Sequence, residues 1–421
     1  MRLPSPRSLL VTLTLLAAPA GALAAPPKDH PPPTLRLAIQ RATLDNGLRV
    51  VMNVDHASPT VALVVTYDVG ARDEQPGQAG FVRLFEHLLF GATKNLAAGE
   101  FESLVASRGG FVAAESAVDH MTFSMLVPEN EIALGLWLEA ERMRSLDLSQ
   151  GAIDAARKDA AAVRAFHAAH FGPNTAVLVL AGDFDPDAAM SLVHRYFDDV
   201  PRIQAKPFAA PAAEEQTAER REVVEDTLAR APGLSYTFAM PKSGTREHDA
   251  LRLAQGILGD GEGSRLVTRL VRGESLATEA RATIDPPFGR GPGSFHIEVR
   301  LAKDAPVPEV EKRIDAALAE LAGAPPTEAE MDRARKRIEA AFVLGLAWSR
   351  DRASALGMFE LATGDARAIG RELERLAAVT PADVQKAAAR YLAPSRRTVI
   401  ETRPKPAPQG NLARATATEG S

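Results

Sequence analysis

The chain has 421 residues, of which 46% are hydrophobic and 24% are charged, a balance typical of globular proteins that excludes disordered or fibrous classes. A formal charge of −5 argues against nucleic-acid binding. The chain contains no cysteine, which excludes disulfides, iron–sulfur clusters, thiolate zinc sites and cysteine nucleophiles, so any metal site must use His, Asp and Glu side chains.

The N-terminus has the pattern of a secretory signal peptide. A start with two arginines precedes an apolar run over residues 9–18, and residues 22–24 have the small-x-small pattern of a cleavage site. We therefore predict a signal peptide over residues 1–24, cleavage before Ala25, and a mature protein in the periplasm or outside the cell. No later apolar run approaches the roughly 18 residues that a transmembrane helix needs, so no membrane span is expected.

Two segments rich in proline and alanine predict the domain organisation. Residues 201–217 are expected to be a linker that divides the mature chain nearly in half, and residues 404–421 a flexible tail. The remaining sequence forms an N-terminal domain over 35–200 and a C-terminal domain over 218–403, in agreement with the tendency of chains of this length to form more than one core.

Both halves mix predicted strands with predicted helices. Apolar or alternating runs indicate strands at 48–51, 60–69, 175–181, 234–240, 295–301 and 398–400. Helix starts are indicated by Asp185 before Pro186, by the capping box of Thr327 and Glu330, and by Thr380 before Pro381. The fold class is therefore α+β, with each half an antiparallel sheet that carries helices on one face.

The segment 80–90 is predicted to be an apolar helix with three polar side chains. Arg83, Glu86 and His87 stand at i, i+3 and i+4, so they share one helix face. Such a stripe is either a structural feature, in which Arg83 and Glu86 satisfy one another, or the relic of a site. The spacing alone favours the structural interpretation.

Around this helix the sequence resembles the M16 metallopeptidases, the insulinase and pitrilysin family, especially the branch that is similar to the processing peptidases. The resemblance spans nearly the whole mature chain and implies two M16-type α/β sandwich domains. It is carried by eight motifs in the family's order: Asn46-Gly47-Leu48, Gly70-Ala71-Arg72-Asp73-Glu74, Phe85-Glu86-His87, Gly109-Gly110, Glu141-Arg142-Met143, Phe171-Gly172-Pro173-Asn174, Gly182-Asp183 and Gly263-Ser264-Arg265-Leu266.

The family's zinc motif is degenerate in this chain. Its members carry His-x-x-Glu-His, in which two histidines bind Zn²⁺ and the glutamate activates water. By resemblance, Glu86 matches the general base and His87 the second metal ligand, but Arg83 stands at the position of the first ligand. A guanidinium group stays protonated and has no lone pair to offer a cation, so it places a positive charge where zinc would bind.

A second departure concerns the third zinc ligand, a glutamate on a following helix in the family. Residues 141–143 are followed almost directly by 152–169, so one or two helices are missing and the first domain is shortened, unless the coding sequence was assigned in error. Asp154 or Asp159 could nominally replace the glutamate, without a recognisable ligand context. His120, His167 and His170 could contribute to a composite site, but separated histidines are more often surface or capping residues. No cofactor is therefore expected, with zinc the candidate if the site functions after all.

The resemblance also implies residues that hold the substrate. Gly109 and Gly110 lie at a predicted sheet edge that could accept an extended peptide, and Arg272 matches an arginine that holds the substrate backbone. The usual tyrosine partner of that arginine is absent, with Thr278 near its position, and Ala113 stands where relatives have asparagine. The alternative for Arg272 is a merely solvated side chain.

Three functions are compatible with these features. The favoured hypothesis is a non-catalytic M16 subunit that pairs with an active zinc peptidase bearing an intact motif, or with a second copy of itself, to bind and enclose unstructured peptides. The second is a solitary peptide-binding or scaffold protein of the cell envelope. The third is an active zinc metalloendopeptidase with unorthodox ligands, which would use Glu86 and His87 together with donors from elsewhere in the chain.

Overall fold

A computed structural model describes residues 35–149, 153, 159–205 and 216–405. The predicted signal peptide lies outside the described residues, as do Asp154, most of the predicted linker and nearly all of the predicted tail. Within the described ranges, no helix combines the length and the apolar character that crossing a membrane requires.

The first half contains six strands and five α-helices with described bounds, besides three short 3₁₀-helices. The strands are β1 (Gln40–Thr43), β2 (Arg49–Val54), β3 (Thr60–Tyr67), β4 (Phe111–Ser116), β5 (Met121–Pro128) and β6 (Ala176–Gly182). The helices are α1 (Phe81–Leu88), α2 (Glu100–Ala106), α3 (Ile132–Ser145), α4 (Ala160–His170) and α5 (Pro186–Phe197).

The second half contains five strands and six α-helices in its described part. The strands are β7 (Arg220–Asp226), β8 (Gly233–Lys242), β9 (Ala277–Asp285), β10 (Pro292–Leu301) and β11 (Arg397–Pro404). The helices are α6 (Arg246–Gly259), α7 (Val307–Gly323), α8 (Glu328–Gly345), α9 (Ser349–Thr363), α10 (Glu372–Ala377) and α11 (Pro381–Tyr391), and a π-helical segment covers Val267–Gly273.

The two halves repeat one topology. The first sheet has the order β1-β2-β6-β3-β5-β4, and the second has the order β7-β11-β8-β10-β9. If β1 is set aside, each sheet has five strands, and their spatial order by position in the chain is first, fifth, second, fourth, third. In both sheets the first and fifth strands pair in parallel, and all other neighbours pair antiparallel. The chain therefore contains an internal structural repeat, and β4 and β9 are equivalent edge strands.

One connection differs in length between the two halves. The connection from β5 to β6 covers residues 129–175, whereas the equivalent connection from β10 to β11 covers residues 302–396 and is about twice as long. The longer connection contains α7 to α11, whereas α3 and α4 are the α-helices with described bounds in the shorter one. The first half is thus shorter than the second, and the loss of one or two helices relative to the family stays a prediction.

One helix of the second half lies on the first sheet. The inner face of that sheet packs against the helices of its own half, but its outer face is also apolar and contacts α9 through Leu356 and Phe359. Arg352 of α9 fixes the contact, because its buried guanidinium donates to Asn53 Oδ1 (2.8 Å) and Asp55 Oδ2 (2.6 Å). The first sheet is consequently covered by helices on both faces, whereas the sequence predicts helices on one face only.

The outer face of the second sheet has a different composition. Its inner face packs on the helices of its own half, as predicted. Along the strands, these buried residues alternate with outward-facing polar residues such as Ser235, Arg281, His296, Glu298 and Arg300. These outward side chains are half-buried or exposed. Such alternation is typical of an antiparallel sheet with one solvated face.

An arginine joins the two halves near the start of β10. Arg290 is 7% exposed, and its Nη1 lies 2.5 Å from Asp68 Oδ1. Its Nε donates to the Asp119 carbonyl (2.9 Å) and its backbone amide donates to Asp119 Oδ2 (2.7 Å), while Asp73 Oδ2 lies 3.6 Å from Nη2. Burial raises the pKa of Asp68. Three aspartates of the first half thus surround one cation of the second.

The predicted strands and helix caps are confirmed. Each predicted strand overlaps one of β2, β3, β6, β8, β10 and β11. The side chains of Asp185, Thr327 and Thr380 accept from backbone amides in the first turns of α5, α8 and α11, and the last two form capping boxes. These caps satisfy amides that a helix start leaves unpaired.

Candidate functional site

The helix α1 carries the polar triplet of the degenerate motif. It begins after Gly80, which has a φ of +83°, and the Glu74 carboxylate accepts from the amides of Gly80 (2.9 Å) and Val82 (2.9 Å). Its buried face contains Phe81 and Phe85. The opposite face, with the triplet, is therefore directed away from the core.

The structure corrects the prediction that Arg83 and Glu86 satisfy one another, because no ion pair joins these two described residues. Glu86 instead accepts hydrogen bonds from the amide of Ser116 (2.9 Å) and from its hydroxyl group. Ser116 ends the edge strand β4, so Glu86 ties α1 to that edge. Arg83 and His87 are exposed rather than part of a buried stripe.

The side chain of Arg83 has no hydrogen bond or ion pair within the described ranges. Among these same ranges, no group of three His, Asp or Glu residues is arranged to hold a metal ion. Asp159, one candidate third ligand, caps α4 by accepting from the amide of Ala161 (2.9 Å), and Asp154 lies outside the described residues. The possible donors beside Arg83 are therefore Glu86, which Ser116 already binds, and His87. These two side chains do not fit a catalytic zinc site, which needs three protein ligands.

The three histidines considered for a composite site have other roles. His120 Nδ1 lies 3.0 Å from Asp119 Oδ1, at the interface with Arg290. His167 stacks on Phe171 with ring centres 5.5 Å apart, and His170 lies 4.5 Å from the ring centre of Phe166. The prediction of surface or capping positions for His167 and His170 was wrong, because their rings pack into an aromatic cluster beneath α1.

This packing gives a test of stability against pH. Burial lowers the pKa of His167 to about 4, below its unfolded value of about 6.5, so acid protonates the unfolded chain first. We expect this group to remove about 1 to 2 kcal/mol of unfolding free energy between pH 7 and pH 5. Urea titrations should show that His167→Phe lacks this loss, whereas a substitution of the exposed His194 retains it. If the free energies of unfolding of wild type and His167→Phe differ by the same amount at pH 7 and pH 5, His167 is not the group that causes the loss.

The predicted substrate residues lie in two separate places. Gly109 has a φ of +80° with open space where a side chain would start, whereas a Cβ on Gly110 would lie 2.5 Å from the Leu126 carbonyl. Both precede β4 at the sheet edge. Arg272 lies in the second half, is largely exposed and pairs with Glu262 at 2.8 Å. In the described part of the chain, no hydrogen bond or ion pair joins Arg272 to α1 or β4.

Sequence reasoning missed two residues of this region. Ser116 gives no motif signal, although it follows the predicted sheet edge at Gly109 and Gly110 in the chain. Arg290 lies in a loop rich in glycine and proline, where a lone arginine would normally be solvated. A buried bridge between distant parts of the chain leaves no periodicity in the sequence that could reveal it.

Two family models match the chain. One is described as insulinase (peptidase family M16) and matches residues 49–173, and the other is described as peptidase M16 inactive domain and matches residues 159–338. A zinc protease named PqqE from Helicobacter pylori is 24% identical over 366 residues, which are 74% of this chain and 81% of that protein.

Solved structures share the fold. A protease from Helicobacter pylori has a TM-score of 0.81 at 22% identity, with 88% of this chain and 100% of that chain covered. The first half of the periplasmic protease PqqL from Escherichia coli has a TM-score of 0.69 at 15% identity, with 89% and 94% covered. At these identities the likeness establishes the fold of the two repeated halves.

Proposed function

Because the chain belongs to the M16 family of peptidases, we propose that it is a non-catalytic subunit that pairs with an active zinc peptidase. In this role it binds peptide substrates and helps to enclose them. The observation that carries the proposal is the donor set on α1: a guanidinium at the first ligand position, and a Glu86 carboxylate bound by Ser116. This chain would then contribute walls and peptide contacts rather than chemistry.

The site residues take limited roles under this proposal. Glu86 is a remnant of the general base and His87 a remnant of a metal ligand, while Gly109, Gly110 and Arg272 contact the substrate. Glu86 holds the end of β4 against α1 through the Ser116 amide. The rest of the β4 edge supports the role, because no described strand pairs with it and an extended peptide can add there.

A location outside the cytoplasm is part of the same proposal. The pattern of residues 1–24 supports an exported protein, and one structural neighbour is a periplasmic protease. The partner would then be a second M16 chain in the same compartment, with an intact His-x-x-Glu-His motif, or another copy of this chain.

The metal is the first test. We expect purified protein to hold no stoichiometric zinc by elemental analysis and to leave unstructured peptides uncleaved. Restoration of the first ligand by Arg83→His should give no tight zinc site, although a complete ligand set would add several kcal/mol of binding free energy. Arg83→Gln is the matched control, since it removes the charge without adding a ligand.

Two results would overturn the proposal. Stoichiometric zinc together with peptidase activity that a chelator removes, and that Glu86→Ala abolishes, would make the chain an unorthodox enzyme. Affinity purification that never recovers a chain with an intact motif, nor a second copy, would favour the solitary peptide binder, for which the free β4 edge is the supporting observation.

A further inference from the structure

The strand β7 has an unpaired edge in the second sheet. One of its sides pairs in parallel with β11 over all seven of its residues. Among the described residues, no strand pairs with its other side. Six of the seven residues are exposed, including Val223 (46%) and Val224 (37%). A long, open strand edge is a template on which another chain can pair.

The internal repeat shows what such an edge pairs with. The strand β2 is the first-half equivalent of β7, because each is the first of the five common strands and lies in parallel with the last. The other edge of β2 is covered by β1, which pairs with it antiparallel over four residue pairs. Within the described ranges, the second half has no counterpart of β1. The equivalent position on β7 is therefore open to an antiparallel strand.

The backbone groups of alternate residues face this open edge. The carbonyl of Asp226 accepts from the amide of Lys405, directly after β11 (2.9 Å), so it faces β11. Successive residues of a strand direct their backbone groups to opposite sides, so the amides and carbonyls of Arg221, Val223 and Glu225 face the open edge. Each of these three residues can form two hydrogen bonds with an antiparallel strand.

The charges of β7 make its edge complementary to itself. The strand begins with Arg220 and Arg221 and ends with Glu225 and Asp226. If two copies pair antiparallel with Val223 opposite Val223, each arginine lies opposite an acidic residue of the other copy, which gives four favourable pairs. The side chain of Arg220 has no hydrogen bond or ion pair to any described residue, so its charge is free for this contact.

The charges also select the register of this pairing. The smallest shift that keeps the hydrogen-bonding groups opposite one another moves the partner strand by two residues. Such a shift sets Glu222 opposite either Glu222 or Asp226 of the other copy. Like charges directly opposite one another destabilise a strand pair. The sequence of β7 therefore favours the register centred on Val223.

We propose that two copies of this protein associate through their β7 strands, which joins their two second sheets into one continuous sheet. The contact is isologous, because the same surface of each copy meets the same surface of the other. It goes beyond the proposed function, since it uses neither α1 nor the β4 edge. The zinc and peptidase tests of that function are therefore independent of it.

Sedimentation velocity of the purified protein between about 1 and 200 µM tests the proposal. We expect a monomer–dimer equilibrium that Val223→Pro weakens at least about tenfold, because proline removes an amide that faces the partner and leaves the bonds to β11 in place. Val223→Thr is the matched control, since it keeps that amide and a β-branched side chain, and it should dimerise as the wild type does.

A charge exchange tests the register. One variant combines Arg220→Glu with Arg221→Glu, and the other combines Glu225→Arg with Asp226→Arg. Each variant alone sets like charges opposite one another and should self-associate at least about tenfold more weakly than the wild type. An equimolar mixture, with one variant labelled, restores all four opposite-charge pairs and should form mixed dimers. Circular dichroism checks that each variant is folded.

The outcomes separate this contact from other surfaces. Weakening by Val223→Pro together with mixed dimers of the two charge variants would support the proposal. A protein that stays monomeric over the whole concentration range would overturn it. A dimer that neither Val223→Pro nor the charge variants weaken would overturn it as well, because such a dimer uses another surface.

Discussion

Replacement of Arg142 by methionine is expected to lower the free energy of unfolding by about 3 to 5 kcal/mol. Arg142 is fully buried and pairs with the buried carboxylate of Glu139. Its guanidinium centre lies 4.4 Å from the ring centre of Phe123 and 5.4 Å from those of Phe90 and Phe101. Without it, Glu139 stays buried without its counter-charge, and burial already raises the pKa of that carboxyl.

Urea denaturation checks this expectation, with two further variants that separate charge from packing. Arg144→Met, two residues along the same helix, removes a partly exposed pair with Asp199 and a 3.8 Å contact with Glu141. Because Glu141 keeps its hydrogen bonds from Asn95 and Ser145, this change should cost no more than about 1 kcal/mol. The double variant Glu139→Leu with Arg142→Met should recover most of the stability, since an apolar pair replaces the buried ions. If the double variant is as unstable as Arg142→Met, loss of packing against the rings explains the effect instead.

Arg290→Met is expected to cost about 3 to 5 kcal/mol at neutral pH, because it leaves Asp68 and Asp73 near the interface of the halves without their shared cation. The pKa of Asp68 is already raised by burial, and loss of Arg290 raises it further. A folded state that binds protons more readily than the unfolded state gains stability as the pH falls. The free energy of unfolding that Arg290→Met loses relative to wild type should therefore become smaller from pH 7 toward pH 4.

Urea titrations at several pH values test this second expectation. Arg281→Met is the matched control, because Arg281 is exposed and pairs with Glu298 on the surface of the second sheet, so its loss should cost less than about 1 kcal/mol at any pH. If the loss of unfolding free energy in Arg290→Met is the same at every pH, the missing charge does not change the pKa of Asp68 or Asp73, which would contradict the expectation.

Much of the fold could be predicted because its signals are local. The alternation of residues 295–301 identifies β10, and the capping box of Thr327 and Glu330 fixes the start of α8. The docking of α9 on the first sheet could not be predicted. Periodicity shows which residues of a helix are buried, but both sheets offer faces that could bury them.

The candidate site was predictable in its residues and not in its contacts. Helix geometry places Arg83, Glu86 and His87 on one face because of their spacing, and in the structure all three lie on α1. Spacing could not show that Glu86 would bond to Ser116, since that partner lies 30 residues away and is brought close by the sheet. The packing of the half-buried His167 likewise depends on a ring of α1, that of Phe85.

The polar outer face of the second sheet also bears on the solubility of the protein. A sheet face that lies under a helix keeps apolar side chains, as Val64 and Val179 do beneath α9. Glu298 and Arg300 on the outer face of the second sheet suit contact with water. Because these side chains are charged, this face is not an apolar patch of the kind that promotes aggregation, and it needs no covering helix to be stable in water.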